Sequence, residues 1–413
     1  MATPFDLRHV AVRRASRGQI HAGVRRHLTY VAGLENIPLE GPVVLVANHS
    51  SYADHYFILT LIDALRGDGP GGNTWFPTKA ESFQSRLSRL WHDSWFCYPV
   101  DRSAPGEEVF RKAQEILDQG AALCLYPEGT RGDGAELLPF KSGAFRMALA
   151  AGAPVVPIAL GNLHRVMPKG ARRPSRENGY VVVGEPLTVP DDTSELHKAA
   201  SQMRDQARER IEQLLAHGAT AAADRTSVEA AAAAIARLVH QRLTRAMSED
   251  GRVDDDTADS AALLAELGLR MAPAQVDLLA QQARCRALGA LNRPAPVRLV
   301  RLAGVAKDVD RVLEDAPDHP FAHYLAGALR GRLPRWAGGS RADAKEHFAQ
   351  AAQDPALASR SLVALAQQQI AEGDHAGAAT SLAAAEQAIA TTDARGEIRR
   401  NRISRLRSQL TAA

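Results

Sequence analysis

The sequence predicts an α/β domain, a mixed sheet flanked by helices, followed by an all-α, repeat-like domain. Three observations carry that expectation. Short apolar runs, VVLVA at 43–47, ALCLY at 122–126, VVPIAL at 155–160 and YVVV at 180–183, alternate with helical stretches and Gly/Pro turns as far as about residue 215. From 228 onward no strand-like run remains and alanine is used heavily, which favours helix. Between them GATAAADRTS (218–227) turns to small and polar residues, the composition of a linker.

Composition bounds the function. The chain has 413 residues, 45% of them hydrophobic, enough for two or three cores. A formal net charge of +3 is too small to argue for nucleic acid. Cys97, Cys124 and Cys285 are odd in number and widely spaced, neither a disulfide framework nor a zinc pattern, and fit a reducing cytoplasm. The longest apolar runs, such as YFILTLI at 56–62, fall short of the roughly 18 residues of a membrane span. No apolar region of the signal-peptide kind follows the basic N-terminus, so the expectation is a protein that is soluble or lies on a membrane surface.

The helical half divides into a region over 228–316 and repeat-like helices over 317–413. Ala344, Phe348 and Ala351 precede Ala378, Leu382 and Ala385 by the same interval, and each set lines one helical face. The interval and the small-large-small pattern resemble tetratricopeptide repeats, with the Gly373-Asp374 turn between the helices of the better copy and LPRWAGGS inserted in the earlier one. The acidic stretch SEDGRVDDDTADS (248–260) is expected to be a solvated loop, with Ser260 near the cap of the next helix. Its aspartates, Asp254, Asp255, Asp256 and Asp259, are out of register for an EF-hand.

Chemistry belongs in the first half. NHSSYAD (48–54) follows VVLVA, so it stands where a strand opens into a helix, and a His-x4-Asp spacing joins His49 to Asp54. Ser51 and Asp54 also have the spacing of a capping box, which accounts for Asp54 but not for His49 or Asn48. YPEGTRG (126–132) follows ALCLY and supplies a carboxylate, a flexible glycine, a hydroxyl and a guanidinium, the last suited to bind a phosphate through two parallel hydrogen bonds. VDR (100–102) offers a second cation, Arg102, and VPI (156–158) enters a buried strand through a proline.

In order and spacing these blocks closely resemble the glycerolipid acyltransferase family, best known for its 1-acylglycerol-3-phosphate (lysophosphatidic acid) acyltransferases. The family's Asn-His-x-Ser-x-x-Asp is matched by Asn48, His49, Ser51 and Asp54, and its Asp-Arg by Asp101 and Arg102. Its Phe-Pro-Glu-Gly-Thr-Arg-Ser is matched from Tyr126 to Arg131, with Gly132 in place of serine, and its Val-Pro-Ile by Val156, Pro157 and Ile158. Lys79 and PFKSGAF, with Phe140, Lys141 and Gly143, also look like the family pattern. The resemblance spans roughly residues 35–190. It places the acyltransferase domain at 35–217, after a basic segment at 1–34, and says nothing of the helical half.

The resemblance implies an O-acyltransferase of phospholipid biosynthesis. It would carry a fatty acyl group from acyl-CoA or acyl carrier protein to the free hydroxyl of a lysophospholipid acceptor, with no metal and no organic cofactor. His49 would be the general base and Asp54 would fix its tautomer. Arg102, Glu128, Gly129, Thr130, Arg131 and Lys141 would bind the acceptor phosphate, and the loss of a hydroxyl at Gly132 bears on that site. An amino-lipid or glycolipid acceptor, or an inactive scaffold binding partners through its helices, are the alternatives.

An acyl chain needs an apolar slot, and Trp91, Trp95 and Phe96 are candidates for lining it, with core packing the other reading. His55 and His92 read as structural or surface residues. Residues 1–30 carry six arginines and one acid, and Ile20, Val24, Leu28 and Val31 form an apolar stripe at helical spacing. Such a helix can lie on an anionic bilayer, or it can pack on the domain. A second basic run, Arg165, Lys169, Arg172, Arg173 and Arg176, would add to a membrane surface. The expected location is therefore cytoplasmic, peripheral on the inner face of the membrane, with a protein partner for the helical repeats and none of nucleic acid.

Overall fold

The computed structural model describes residues 7–67, 73–101, 107–171, 173–188, 195–390 and 395–412. The chain divides into two compact units: residues 1–239 with 263–275, and 240–262 with 276–413.

The first unit is built on seven strands: β1 (Leu28–Ala32), β2 (Val43–Ala47), β3 (Thr74–Lys79), β4 (Cys97–Val100), β5 (Ala122–Leu125), β6 (Val155–Gly161) and β7 (Gly179–Val183). Their order is β1-β7-β6-β2-β5-β3-β4. From β6 to β4 neighbouring strands run parallel; β7 is antiparallel to β6, and β1 is parallel to β7. In β2, β5, β6 and β7 every residue is buried, so these strands read as continuous apolar runs rather than alternating ones. That is the pattern of a sheet covered on both faces.

The helices of this unit include α1 (Leu7–His27), α2 (Asp54–Arg66), α3 (Arg86–Ser94), α4 (Glu107–Asp118), α5 (Gly143–Ala151), α6 (Leu163–Val166) and α7 (Leu196–Ala221). On one face Ile116 of α4, Phe145 of α5 and Met203 and Ile211 of α7 pack with Val44, Leu123 and Val155 of the strands. Strand alternation sends Leu45 and Cys124 to the opposite face.

The N-terminal stripe is corrected by the structure. The helix ends at His27, so Leu28 and Val31 belong to β1, and both are fully buried. Val24 is buried as well, so these side chains complete the domain core and are not presented to a bilayer. What α1 turns toward α2 is polar. The buried carboxylate of Asp63 accepts from Arg13 Nη2 at 3.2 Å and from Arg17 Nε at 3.2 Å, and it lies 3.1 Å from His21 Nε2. Hydropathy spacing does not register a helix docked through charges, which is why the sequence pointed elsewhere.

The expected linker at 218–227 is also different. Residues 218–221 are the last turn of α7, and a second long helix begins at Arg225. Gly218 is a packing residue: a Cβ there would meet the Tyr180 ring at 2.4 Å. The Tyr180 hydroxyl donates to the Leu215 carbonyl at 2.7 Å, fastening α7 to β7. The helix Asp255–Met271 contributes its later half to this unit, where Met271 Sδ accepts from the Val31 amide at 3.0 Å and Glu266 pairs with Arg25.

The second unit is helical throughout its described residues. The helix Pro320–Arg330 packs on Arg341–Ala351, and Pro355–Glu372 on His375–Gln387. The two repeated triplets, Ala344, Phe348, Ala351 and Ala378, Leu382, Ala385, are all at most 2% exposed. Gly373 closes its helix in the left-handed region at φ 81°, and Asp374 caps the next by accepting from the Gly377 amide at 2.9 Å. Ser260 is not a cap. It lies buried inside its helix, and Asp254 caps that helix by accepting from the Thr257 amide at 2.8 Å. The acidic stretch is thus a loop only up to Asp254, since Asp255 begins the helix.

Removing Asp63 leaves the Arg13 guanidinium buried without its carboxylate. Asp63→Ala is expected to lower stability by about 3–5 kcal/mol, read by chemical denaturation, whereas Arg14→Ala, at an exposed position of the same helix, is expected to change it by less than about 0.5 kcal/mol.

Candidate active site

The site is built where β2 and β5 end. β2 stops at Ala47, and the Asn48 side chain continues its pairing with β6. Asn48 Nδ2 donates to the Leu160 carbonyl at 3.0 Å, and the Leu160 amide donates to Asn48 Oδ1 at 2.7 Å. One residue on, the His49 amide donates to Glu128 Oε1 at 2.6 Å, and the His49 carbonyl accepts from the Gly132 amide at 2.8 Å. Glu128 Oε2 accepts from the Leu138 amide at 3.0 Å. Burial raises the pKa of Glu128, and the amide donors of His49 and Leu138 oppose the rise. The NHSS and PEGTRG segments therefore hold each other.

His49 Nδ1 lies 2.8 Å from Asp54 Oδ2. A carboxylate only accepts, so Nδ1 carries the proton and Nε2 is the basic nitrogen of the neutral ring. The same Asp54 oxygen accepts from the Ser50 amide at 2.8 Å and the Ser51 amide at 2.9 Å. Asp54 is fully buried at the start of α2. The Ser51 amide bond to Asp54 is the backward half of the expected capping box, while the Ser51 hydroxyl accepts from the Ala53 amide at 3.0 Å. Tyr126 stacks on the imidazole with centroids 4.1 Å apart, which fixes the ring plane.

His49 borders a cavity of about 450 Å³. Thr130 and Arg131 line it from the loop after β5, and Lys79 from the end of β3. Arg131 lies 3.4 Å above the centroid of Tyr52, and its Nη1 is buried with no acceptor among the described residues. Leu59, Phe76, Trp91, Trp95 and Val100 give the cavity apolar lining as well. His55, His92 and Cys97 line the same space.

The expected residues sort as follows. His49, Asp54, Thr130 and Arg131 come together, and Gly129, at φ 70°, turns the loop between them and borders the cavity. Trp91 and Trp95 line the cavity. Phe96 does not: it is buried behind it, edge-on to Trp75 and beneath Arg13. Glu128 is corrected as a phosphate ligand, because both its oxygens hold backbone amides and a carboxylate repels phosphate. Lys141 is not among the residues that border this cavity; its ammonium packs against Gly129, where a Cβ would come within 3.0 Å of it. Arg102 lies outside the described residues. Gly132 lines a second cavity of about 360 Å³ that His49 also borders, and a Cβ there would meet Glu128 Oε2 at 3.5 Å and Leu138 Cγ at 3.7 Å. His55 and His92 are neither remote nor purely structural in position. His55 directly follows Asp54, and His92 precedes Trp95 by one helical turn, signals too general to set them apart in a sequence.

Residues 29–161 match the family model described as Acyltransferase. The matched segment holds the strands from β2 to β6 and, with them, His49, Asp54 and Arg131. It is similar to a chloroplastic 1-acyl-sn-glycerol-3-phosphate acyltransferase of Brassica napus, 34% identical over 35% of this chain and 40% of the relative. A second, from Arabidopsis thaliana, is 32% identical over 38% of this chain and 43% of its own length. The chain thus spans about two fifths of these relatives. The solved structure of the lysophosphatidic acid acyltransferase PlsC from Thermotoga maritima is 23% identical with a TM-score of 0.38, over 48% of this chain and 81% of that one.

One acid-range effect follows from this site. Burial, then the nearby charges of His49, Arg131 and His92, push His55 down to about 3. The folded state therefore resists protonation there while the unfolded chain accepts a proton near the ordinary imidazole value. Stability contributed by neutral His55 is complete above about pH 6.5 and is lost as pH falls toward 3, at up to about 1.4 kcal/mol per pH unit. His55→Gln is expected to flatten that part of the stability profile, measured by denaturation at a series of pH values.

Proposed function

We propose that the acyltransferase domain is an O-acyltransferase that moves a fatty acyl group from a thioester, acyl-CoA or acyl carrier protein, to the free hydroxyl of a lysophosphatidic acid-like acceptor. One observation carries this reading: the Asp54-oriented His49 and the unpaired Nη1 of Arg131 border one cavity that apolar side chains also line. Such a space suits an amphiphile with a phosphate at one end and a hydrocarbon chain at the other.

The acceptor hydroxyl gives its proton to His49 Nε2 as its oxygen attacks the thioester carbonyl. The imidazolium so formed is stabilised by Asp54, and collapse of the tetrahedral intermediate expels the thiolate, which takes the proton back from His49. The products are an ester and a thiol, so atoms and charge balance on side chains alone. The Thr130 and Arg131 amides follow the left-handed Gly129 and have no acceptor among the described residues, which makes them the donors of choice for the oxyanion. Arg131 and Lys79 bind the phosphate.

Amphiphilic substrates of this kind favour a membrane surface, in this reading a cytoplasmic protein peripheral on the inner face of the membrane. No helix of the described residues is long and apolar enough to cross a membrane. Exposed Leu7 and Leu87 lie on the mutually packed α1 and α3, and Arg165, Lys169, Arg173 and Arg176 are exposed. These supply apolar and basic contacts to an anionic bilayer.

The test is turnover of labelled acyl thioesters with a panel of lysolipid acceptors, read by mass spectrometry. His49→Ala is expected to stay folded and lose roughly 10²–10⁴ in kcat. Asp54→Asn is expected to lower kcat, because an amide does not stabilise the imidazolium. Arg131→Ala is expected chiefly to raise the acceptor KM, as the loss of a ground-state phosphate contact does. Folded His49→Ala protein with near-normal turnover contradicts the mechanism, and turnover only with acceptors lacking phosphate contradicts the acceptor assignment.

A further inference from the structure

The helical unit holds arginines that acyl transfer does not use. Arg284, on the helix Val276–Leu291, is only 6% exposed. Its hydrogen-bond partners are both neutral: Nη1 donates to His240 Nδ1 at 3.3 Å, and Nη2 donates to the Thr244 hydroxyl at 3.3 Å. Its guanidinium carbon lies 5.6 Å from the centroid of Phe321. Phe321 stacks on Tyr324 with centroids 6.1 Å apart, and Arg360 sits 5.7 Å from the Tyr324 centroid. Arg395 reaches the same corner, donating to the carbonyls of Thr244 at 3.1 Å, Met247 at 2.7 Å and Ser248 at 2.8 Å. Thr244 therefore touches two of three guanidiniums.

Neither Arg284 nor Arg360 has a carboxylate partner among the described residues. A guanidinium taken out of water without a counter-charge destabilises a fold. Some arginines of the same unit do pair with acids: Arg286 with Asp308, Arg330 with Asp310 and Arg407 with Glu386. His240 is pushed down to about 4, first by burial and then by Arg284 and Arg360. Arg284 itself is pushed down to about 10, by burial and then by Arg360.

We infer that the cluster formed by Arg284, Arg360, Arg395 and Thr244 on the helical unit binds a phosphate monoester. A single carboxylate neutralises one guanidinium, whereas a phosphate dianion brings two charges and three terminal oxygens, each able to accept from an arginine fork. The Thr244 hydroxyl adds a further donor. Thr244, Tyr324, Arg360 and Arg395 are partly exposed, so the ligand reaches the cluster from solvent. The helical unit is then a phosphate receptor, independent of the phosphate contact assigned to Arg131.

Isothermal titration of the full chain tests this with three probes: inorganic phosphate, a phosphoserine peptide, and the same peptide with glutamate in place of phosphoserine. Saturable binding of a phosphate probe is expected, weakened by salt and reduced by about tenfold or more in both Arg284→Met and Arg360→Met. Similar affinity for both phosphate probes supports a free phosphate ligand; tighter binding of the peptide supports a phosphorylated partner. Arg360 is partly exposed, so its variant carries the test if Arg284→Met does not fold. The inference is overturned by absence of saturable binding, by binding that survives the substitutions, or by a glutamate peptide that binds as well as its phosphorylated form.

Discussion

One oxygen of one buried carboxylate organises the catalytic loop. Asp54 Oδ2 accepts from His49 Nδ1–H and from the amides of Ser50 and Ser51, three donors converging on a group with no exposed surface. Burying an anion is costly unless such donors satisfy it, and its place at the start of α2 adds the favourable end of the helix dipole. Holding the chain and holding the base are the same interaction. Glu128 performs the matching task from the other side by taking the His49 and Leu138 amides. Two acids from two different elements thus fix His49 through its backbone and its side chain.

The sheet determines where these loops meet. β2 is flanked by β5 and β6, both parallel to it, so the residues after β2 and β5 emerge side by side at the carboxyl end of the sheet. That is the edge at which open α/β sheets bind ligands. Asn48 adds a side-chain rung to the β2–β6 ladder, which keeps the strand from fraying just before His49. Lys79 arrives at the same edge because β3 pairs with the far side of β5.

Much of this was legible in the sequence because the blocks combine local signals with fixed order. Apolar runs marked the strands, and His49, Asp54 and Arg131 stood in motifs at their ends. Glu128 was legible as a motif residue but not in its role, since whether a carboxylate faces a ligand or a neighbouring amide depends on a loop far away in sequence. Lys141 and Phe96 missed the cavity for the same reason: sequence proximity does not say on which side of a turn a side chain lies. The α1 stripe and the Gly218 linker were misread because a charge-docked helix and a packing glycine resemble, in composition, an amphipathic helix and a loop. Arg284 and Arg360 carry no sequence signal at all; only the fold shows that no acid stands beside them among the described residues.

The central claim is that Asp54 holds neutral His49 with its proton on Nδ1 and its basic Nε2 toward the cavity. Nitrogen-15 NMR of histidine-labelled protein in mildly alkaline solution reads that tautomer directly. The account predicts a protonated Nδ1 and an unprotonated Nε2 for His49, with the Nδ1–H tautomer losing its dominance in Asp54→Ala. A His49 ring protonated on Nε2 alone, or one whose tautomer is indifferent to Asp54, would contradict it.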